Sequence, residues 1–404
     1  MMIPPMNKAT FWWLVLVLVS LPVAAHKVVF LGLPWYYPEI AVLGALVFWW
    51  LDRRERLKFP AVDRIILLGG VLFLVGATVT LFAHPFTLTG LGMLKSWFFF
   101  PALYSLLIFS ECQHRERQRI LVKVLLVVLT LTALQCLVSY WLGRVTYDGR
   151  LAGPYASPNF LAFLMATGLA LPLILLDDAA RWTKFSRIGL ALSPVLLAVT
   201  LLLTRSYGVI LAVCLGLLAY GLWQREHSWR KSGAVLSILF ALGMFMASEH
   251  GSEKWQALFT EDPRSSWSSR EMIWQAAFRI GLDHPFGIGV GRFQELYLDY
   301  QQFFPPYLEW SVPEPHNVAL AMFFATGPIG LLGFTLLVGR TLWLLSKERT
   351  KSTMITGMMT YWCIFLVMGL VDTPFFKGDL AYLFFFMVTL SALAVQKELP
   401  RELA

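Results

Sequence analysis

The chain has 404 residues, of which 57% are hydrophobic, 15% aromatic and only 14% charged. An ordinary soluble domain carries roughly 25% charged residues, and with a mean hydropathy of +0.64 the composition excludes a soluble enzyme, a disordered chain and a disulfide-stapled domain. The apolar residues come in blocks of about 16 to 30, near the roughly 20 that a helix needs to cross a bilayer. The expected class is an all-α, polytopic membrane protein.

In chain order, twelve spans are predicted: 10–25, 38–51, 61–83, 91–110, 119–142, 157–176, 188–204, 207–223, 232–248, 317–346, 352–371 and 380–395. The first has the outline of a signal peptide, with Lys8 ahead of a short apolar run ending at Val23-Ala24-Ala25, and is read as a retained helix. The second block is short, which calls either for a tilt or for an extension by Tyr36 and Tyr37. The four cysteines (Cys112, Cys136, Cys214 and Cys363) sit in or beside apolar blocks and read as small hydrophobes, not as disulfides or metal ligands. No internal repeat or low-complexity segment is evident.

With the N-terminus in the cytoplasm, the loops alternate in charge. Lys8, Arg53, Arg54, Arg56, Lys58, Arg115, Arg117, Arg119, Arg181, Lys184 and Arg187 fall on the cytoplasmic side. So do Arg225, Arg230, Lys231, Lys347, Arg349, Lys351, Lys397 and Arg401, giving 19 basic residues against five (Lys27, Arg144, Arg150, Arg205 and Lys377) in the short outer loops. Three regions follow: helices one to nine over 1–248, an outer loop over 249–315, and helices ten to twelve with a short cytoplasmic tail over 316–404. Within the loop, Ser268-Ser269-Arg270-Glu271 reads as a capping box opening a helix that ends near Ile280, with Gly281 as terminator. A second helix is predicted from Arg292 to Phe304. Its stripe of Phe293, Leu296, Tyr297, Tyr300 and Phe304 suits a helix resting on the membrane interface or packed on the bundle, and aromatics also stack on sugars.

Cations near the outer surface need a reason to be there. Arg205 lies in the tight turn Leu203-Thr204-Arg205-Ser206-Tyr207-Gly208 between two spans. An unpaired charge costs roughly 2.5–3.5 kcal/mol at a helix centre and less at the interface, so Arg205 either snorkels into headgroups or lines an anion site. Lys95, about five residues into the fourth span, poses the same choice. Arg150 has Asp148 as an easy partner. Arg270 is expected at a helix N-terminus with Trp274 one turn on, where free N–H groups and a guanidinium suit a phosphate. His316, with Asn317 at the outer start of the tenth span, is the candidate for chemistry. A helix N-terminus disfavours a charged imidazole, leaving His316 able to accept a proton, with a polar cap as the plainer role. Glu314 is the alternative base. The other outer histidines (His26, His84, His250 and His284) do not stand at ligand spacing and there is no Asp-x-Asp, so no metal is expected. Gly287-x-Gly289-x-Gly291 lacks a βαβ context and is not read as a nucleotide loop.

These residues resemble the O-antigen ligase family of bacterial inner membranes, which is related to O-antigen polymerases and O-linked protein oligosaccharyltransferases. The resemblance spans about 140–380 and rests on ordered blocks. These are Gly149-Arg150-Leu151-Ala152-Gly153 with Ser157-Pro158-Asn159-Phe160-Leu161-Ala162, the Thr204–Gly208 turn, Arg270 with Trp274, His284–Gly291, His316-Asn317 and Asp372-Thr373-Pro374-Phe375-Phe376-Lys377. The family turn usually reads Ser-Arg-Gly. Here Tyr207 stands in the arginine slot, and Arg205, two positions earlier, is expected to take over its role. The resemblance implies a glycosyltransferase of the C-type fold, without cofactor or metal, in the Gram-negative inner membrane with its site facing the periplasm. It implies a glycan moved from undecaprenyl diphosphate to a sugar hydroxyl of lipid A–core. His316 would act as base, and Arg205, Arg270, Arg150, Lys95, Trp274 and Asn317 would bind substrate. Partners would be these two substrates and membrane lipid, not nucleic acid, and the oligomeric state stays open.

Three other readings stand beside it. A polymerase of this kind often has two sizeable outer loops, and this chain has one. A protein oligosaccharyltransferase usually has a longer C-terminal region. A lipid-linked oligosaccharide flippase would carry charge along the bundle interior and show repeats.

Overall fold

The computed structural model describes residues 8–23, 26–30, 33–53, 62–176, 183–223, 229–256, 266–305, 310–348 and 352–396. Nine of the nineteen basic residues that set the expected orientation lie outside them: Arg54, Arg56, Lys58, Arg181, Arg225, Arg349, Lys351, Lys397 and Arg401. Ala24 and Ala25, the end of the signal-like run, lie outside them too.

Each of the twelve expected segments is helical. The helices before the large loop are α1 (Lys8–Ser20), α2 (Tyr37–Arg53), α3 (Arg64–Phe82), α4 (Leu88–Met93), α5 (Phe100–Glu111), α6 (Arg115–Trp141), α7 (Pro158–Leu175), α8 (Lys184–Leu203), α9 (Tyr207–Trp223) and α10 (Trp229–Ser248). A π-helical turn, Leu94–Phe99, joins α4 to α5. Within the loop lie α11 (Glu253–Gln256), α12 (Ser266–Asp283) and α13 (Phe293–Tyr300), and after it come α14 (Val318–Glu348), α15 (Thr353–Val371) and α16 (Gly378–Val395). Among the described residues, eight helices are long and apolar enough to cross a membrane, and two shorter apolar ones stand beside them. The protein is a multi-pass membrane protein. The all-α expectation needs one addition, an antiparallel hairpin of β1 (Lys27–Phe30) and β2 (Leu33–Tyr36) that pairs Lys27 with Tyr36.

The bundle core is almost entirely hydrocarbon and aromatic, with α7, α15 and α16 the most deeply enclosed. All four cysteines are free thiols. Ion pairs mark the end away from the large loop. Arg340 grips Asp63 at 2.7 Å, and Arg117 meets Glu111 at 3.0 Å.

The tenth segment is not one continuous span. A straight helix of its 31 residues would be about 46 Å long, well beyond the roughly 30 Å hydrocarbon core. The chain breaks at Gly327, where φ is 64° and ψ is −176°, and Pro328 follows. A Cβ at Gly327 would lie 2.6 Å from the Phe286 carbonyl oxygen and 3.0 Å from Thr80 Cγ2, so only glycine fits. Thr80 is near the loop-side end of α3, and Asn317, just before the helix, donates to the Leu370 carbonyl near the end of α15 at 3.0 Å. Residues 318–326 therefore link the loop-side ends of two spans, and the stretch after Pro328 makes the crossing.

The loop is anchored on this short piece. The amides of Ile288 and Gly289 both donate to the Phe324 carbonyl, at 2.8 and 3.1 Å. Gly287, Gly289 and Gly291 all take positive φ, which is what their spacing serves here. Met272, Ile273, Ala276 and Ala277 of α12 form a second small core with Phe293, Tyr297 and Phe324. The stripe on α13 thus packs on the bundle through this core. The expected capping box does not form, because α12 already includes Ser266 and Ser268 lies inside it. Nor does Gly281 end the helix, which runs on to Asp283.

Candidate functional site

Where α15 ends, Asp372 is left at the loop-side surface with 6% exposure. Its two oxygens collect three segments that are far apart in sequence. Oδ1 lies 3.0 Å from His316 Nδ1. Oδ2 accepts from Asn159 Nδ2 at 2.7 Å and lies 3.6 Å from Arg270 Nη2. Burial alone would push this carboxyl upward, but His316 and Arg270 beside it hold it below the usual carboxylate range. An ionised carboxylate can only accept, so Nδ1 carries the hydrogen of that bond. In a neutral ring Nε2 then has the lone pair. The side chain of His316 is 31% exposed, and its backbone is left-handed, with φ 49°.

Asn159 extends the group. It stands at the start of α7, where the Ser157 hydroxyl accepts from its backbone N–H at 3.3 Å. Its Oδ1 receives Arg150 Nη2 at 3.1 Å and Ser206 Oγ at 3.0 Å. Arg150 Nε also donates to the Thr204 carbonyl at 2.7 Å, and Asp148 lies 3.7 Å from Nη1. Arg150 is therefore largely occupied in tying the turn between α8 and α9 to α7. Arg205, on that turn, has φ 47° and reaches Glu249 Oε1 at 3.5 Å. Glu249 also accepts from the Tyr207 hydroxyl at 2.8 Å, so Arg205 and the tyrosine in the family's arginine slot share one carboxylate.

Arg270 has Nε on the Val371 carbonyl at 2.7 Å and Nη1 on the Ser266 carbonyl at 2.9 Å. It is inside α12 and not at its first turn, so the expected convergence with free helix N–H groups is absent. What directs it is the carbonyl end of α15. Trp274 Nε1 donates to the Pro315 carbonyl at 3.0 Å, bracing the segment that presents His316. Asn317 has both amide ends engaged, Oδ1 by the Leu320 N–H at 3.0 Å and Nδ2 by Leu370.

Lys95 is not brought to this group. Its Nζ meets Glu39 Oε2 at 2.6 Å and the Pro34 carbonyl at 2.7 Å, above the Trp35 ring. Glu39, 1% exposed, also accepts from Ser96 Oγ and from the Tyr36 N–H. The lysine fastens the hairpin to the π-helical turn. Glu314 is 9% exposed and has no hydrogen bond among the described residues. Burial pushes its carboxyl well above the usual range, which disfavours the ionised form that a base needs.

Asp372, Asn159 and Glu249 were not among the expected site residues. The first two stand in blocks that carry the family resemblance, and a carboxylate directly after an apolar span is the signal that marks Asp372. Among the described residues, no group of three or more His, Cys, Asp or Glu side chains is close enough to hold a metal ion.

Residues 192–335 match the family described as O-antigen ligase. The O-antigen ligase match takes in Arg205, Arg270, Trp274, His316 and Asn317, and it lies inside the longer stretch that carries the resemblance. Asn159, Arg150 and Asp372, which complete the geometry, fall outside the O-antigen ligase match. No curated protein matches the chain.

Proposed function

We propose that the protein is an O-antigen ligase that moves a glycan from undecaprenyl diphosphate to a sugar hydroxyl of lipid A–core, at the periplasmic face of the Gram-negative inner membrane. The observation that carries this reading is the pairing of His316 Nδ1 with Asp372, with Arg270 on the same carboxylate. The O-antigen ligase match supports activity of the ligase or polymerase type, and the 19-to-5 basic asymmetry supports a periplasmic site. The loop 249–315 then acts as the outer unit, between the helices of 1–248 and those of 316–404.

In this reading His316 Nε2 takes the proton of the acceptor hydroxyl. The oxygen attacks the anomeric carbon opposite the diphosphate, the bond from that carbon to the phosphate oxygen breaks, and the electron pair leaves on undecaprenyl diphosphate. The configuration inverts in one displacement. Arg270 and Arg205 neutralise the departing diphosphate in place of a metal, and most of the rate comes from positioning and charge stabilisation.

Purified protein reconstituted with lipid-linked glycan and lipid A–core tests this. Transfer is expected with excess EDTA present, and activity that needs a restored divalent ion overturns the metal-independent step. His316→Gln, which cannot take a proton at neutral pH, should lower turnover by about 10²–10⁴-fold. Near wild-type turnover would remove His316 as base. Transfer only onto a second lipid-linked glycan would make the protein a polymerase.

A further inference from the structure

Helix α12 has more apolar surface than its packing uses. At about 100° per residue, its surface divides into three sides. Met272, Ile273, Ala276, Ala277 and Ile280 are buried against α13 and Phe324. Over its C-terminal half a polar flank holds Arg279 and Asp283, paired at 3.4 Å. The third flank presents Phe278, 69% exposed, and Leu282, 60% exposed, and Phe286 follows at 77%. Surface of this kind, segregated from the polar flank of the same helix, is the pattern of an element lying at a membrane boundary.

The helix crossed by the segment after α12 points to what covers it. Helix α3 exposes Leu68, Val71, Val75, Val79 and Phe82 in one stripe, and on a membrane-spanning helix such a stripe faces lipid. Phe86 stacks on Phe82 at 6.0 Å and prolongs the stripe past the end of α3. The segment after α12 crosses at this end. A Cβ built on Gly289 would lie 3.1 Å from the Thr80 carbonyl oxygen, and the Phe286 carbonyl abuts Gly327, itself against Thr80.

We infer that the Phe278–Leu282 flank of α12, with Phe286, continues the lipid-facing side of α3 and is embedded among the hydrocarbon chains of the outer leaflet. The C-terminal end of α12 dips towards α3. Arg270, with Glu271 beside it, rides at the phosphate level about 12 Å back along the axis. A lipid-borne substrate then reaches Arg270 and His316 sideways from the leaflet. Naming the leaflet and the substrate rests on the proposed function, whereas the placement in lipid does not.

The test uses full-length protein in liposomes, with Cys214 and Cys363 replaced by alanine and one new cysteine at a time carrying an NBD fluorophore. Labels on Phe278→Cys and Leu282→Cys should be quenched by lipids bearing doxyl groups on their chains and shielded from aqueous iodide. A label on Arg279→Cys, on the polar flank, should behave in the opposite way. Iodide quenching at 278 and 282 equal to that at 279 overturns the placement, whether water or another protein covers the flank. In a second arm, Phe278→Glu with Leu282→Glu should raise KM for a long-chain polyprenyl diphosphate donor about tenfold. For a water-soluble short-chain donor, kcat/KM should stay within about twofold. Equal losses on both donors overturn sideways entry. Wild-type protein inactive on every donor would sink the proposed function and leave the quenching result standing.

Discussion

At Asp372 a buried carboxylate stays ionised because a ring nitrogen and a guanidinium stand beside it, and the same contact selects which nitrogen of His316 is free. Asp372→Asn keeps the shape but removes the charge and can donate to Nδ1, which would turn the lone pair away from the acceptor. Turnover is expected to fall about 10²-fold or more with donor KM little changed. A loss confined to KM would make Asp372 a donor-binding group. Glu314 gives a different prediction. Its carboxyl is raised in the folded protein, so between the ordinary carboxyl range and the folded value the native state holds a proton that the unfolded chain has released. Stability must then fall as pH rises through that window, by about 1.4 kcal/mol per pH unit. Glu314→Gln, neutral throughout, should melt with wild type near pH 4 and above it at pH 8. Identical melting at both values would mean that Glu314 is ionised in the fold.

Between elements, contact depends on the absence of side chains. At Gly76 a Cβ would come within 2.5 Å of Gly330 Cα and of the Thr326 carbonyl oxygen, so α3 and α14 touch backbone to backbone. Gly76→Leu should lower the melting temperature by an amount equivalent to about 1–3 kcal/mol or more. Gly70→Leu, on an open face of the same helix, should not. Unchanged melting of the first variant would mean that the seam is not close-packed. The spans themselves were legible because apolar run length is a property of consecutive residues. The break at Gly327 was less so, although a run over 317–346 is long for one crossing and contains a Gly-Pro pair. The hairpin has strands of four residues without polar alternation and left no periodic trace. Arg205 and Arg270 could be read as cations in costly places. Asp372 could not be joined to them, because its partners are 56 and 213 positions away and meet it only after α7, α14 and α15 pack.

For the whole molecule, the distribution of basic residues fixes an expected orientation. A membrane-impermeant thiol reagent should label Ser252→Cys and Ser311→Cys in intact spheroplasts and leave Ser186→Cys unreacted. The opposite pattern would turn the Asp372 group towards the cytoplasm and remove its access to a periplasmic donor. The test bears on the site as much as on the bundle, because Asp372, Asn159, the turn at Arg205 and the loop all meet at one end.

Among the described residues, the only two that are not glycine yet take a left-handed backbone are Arg205 and His316. For an ordinary L-residue that conformation costs roughly 1–2 kcal/mol, and glycine adopts it freely. Truncation to glycine at either place should therefore leave the chain at least as easy to fold, with a vacated space shaped like the lost side chain. Such a variant becomes a host for the missing functional group as a free solute. Imidazole added to His316→Gly should restore transfer in proportion to its concentration, and guanidinium should do the same for Arg205→Gly, with no cross-complementation between them. Each solute would then report the chemistry its own position supplies, separately from the backbone that holds it.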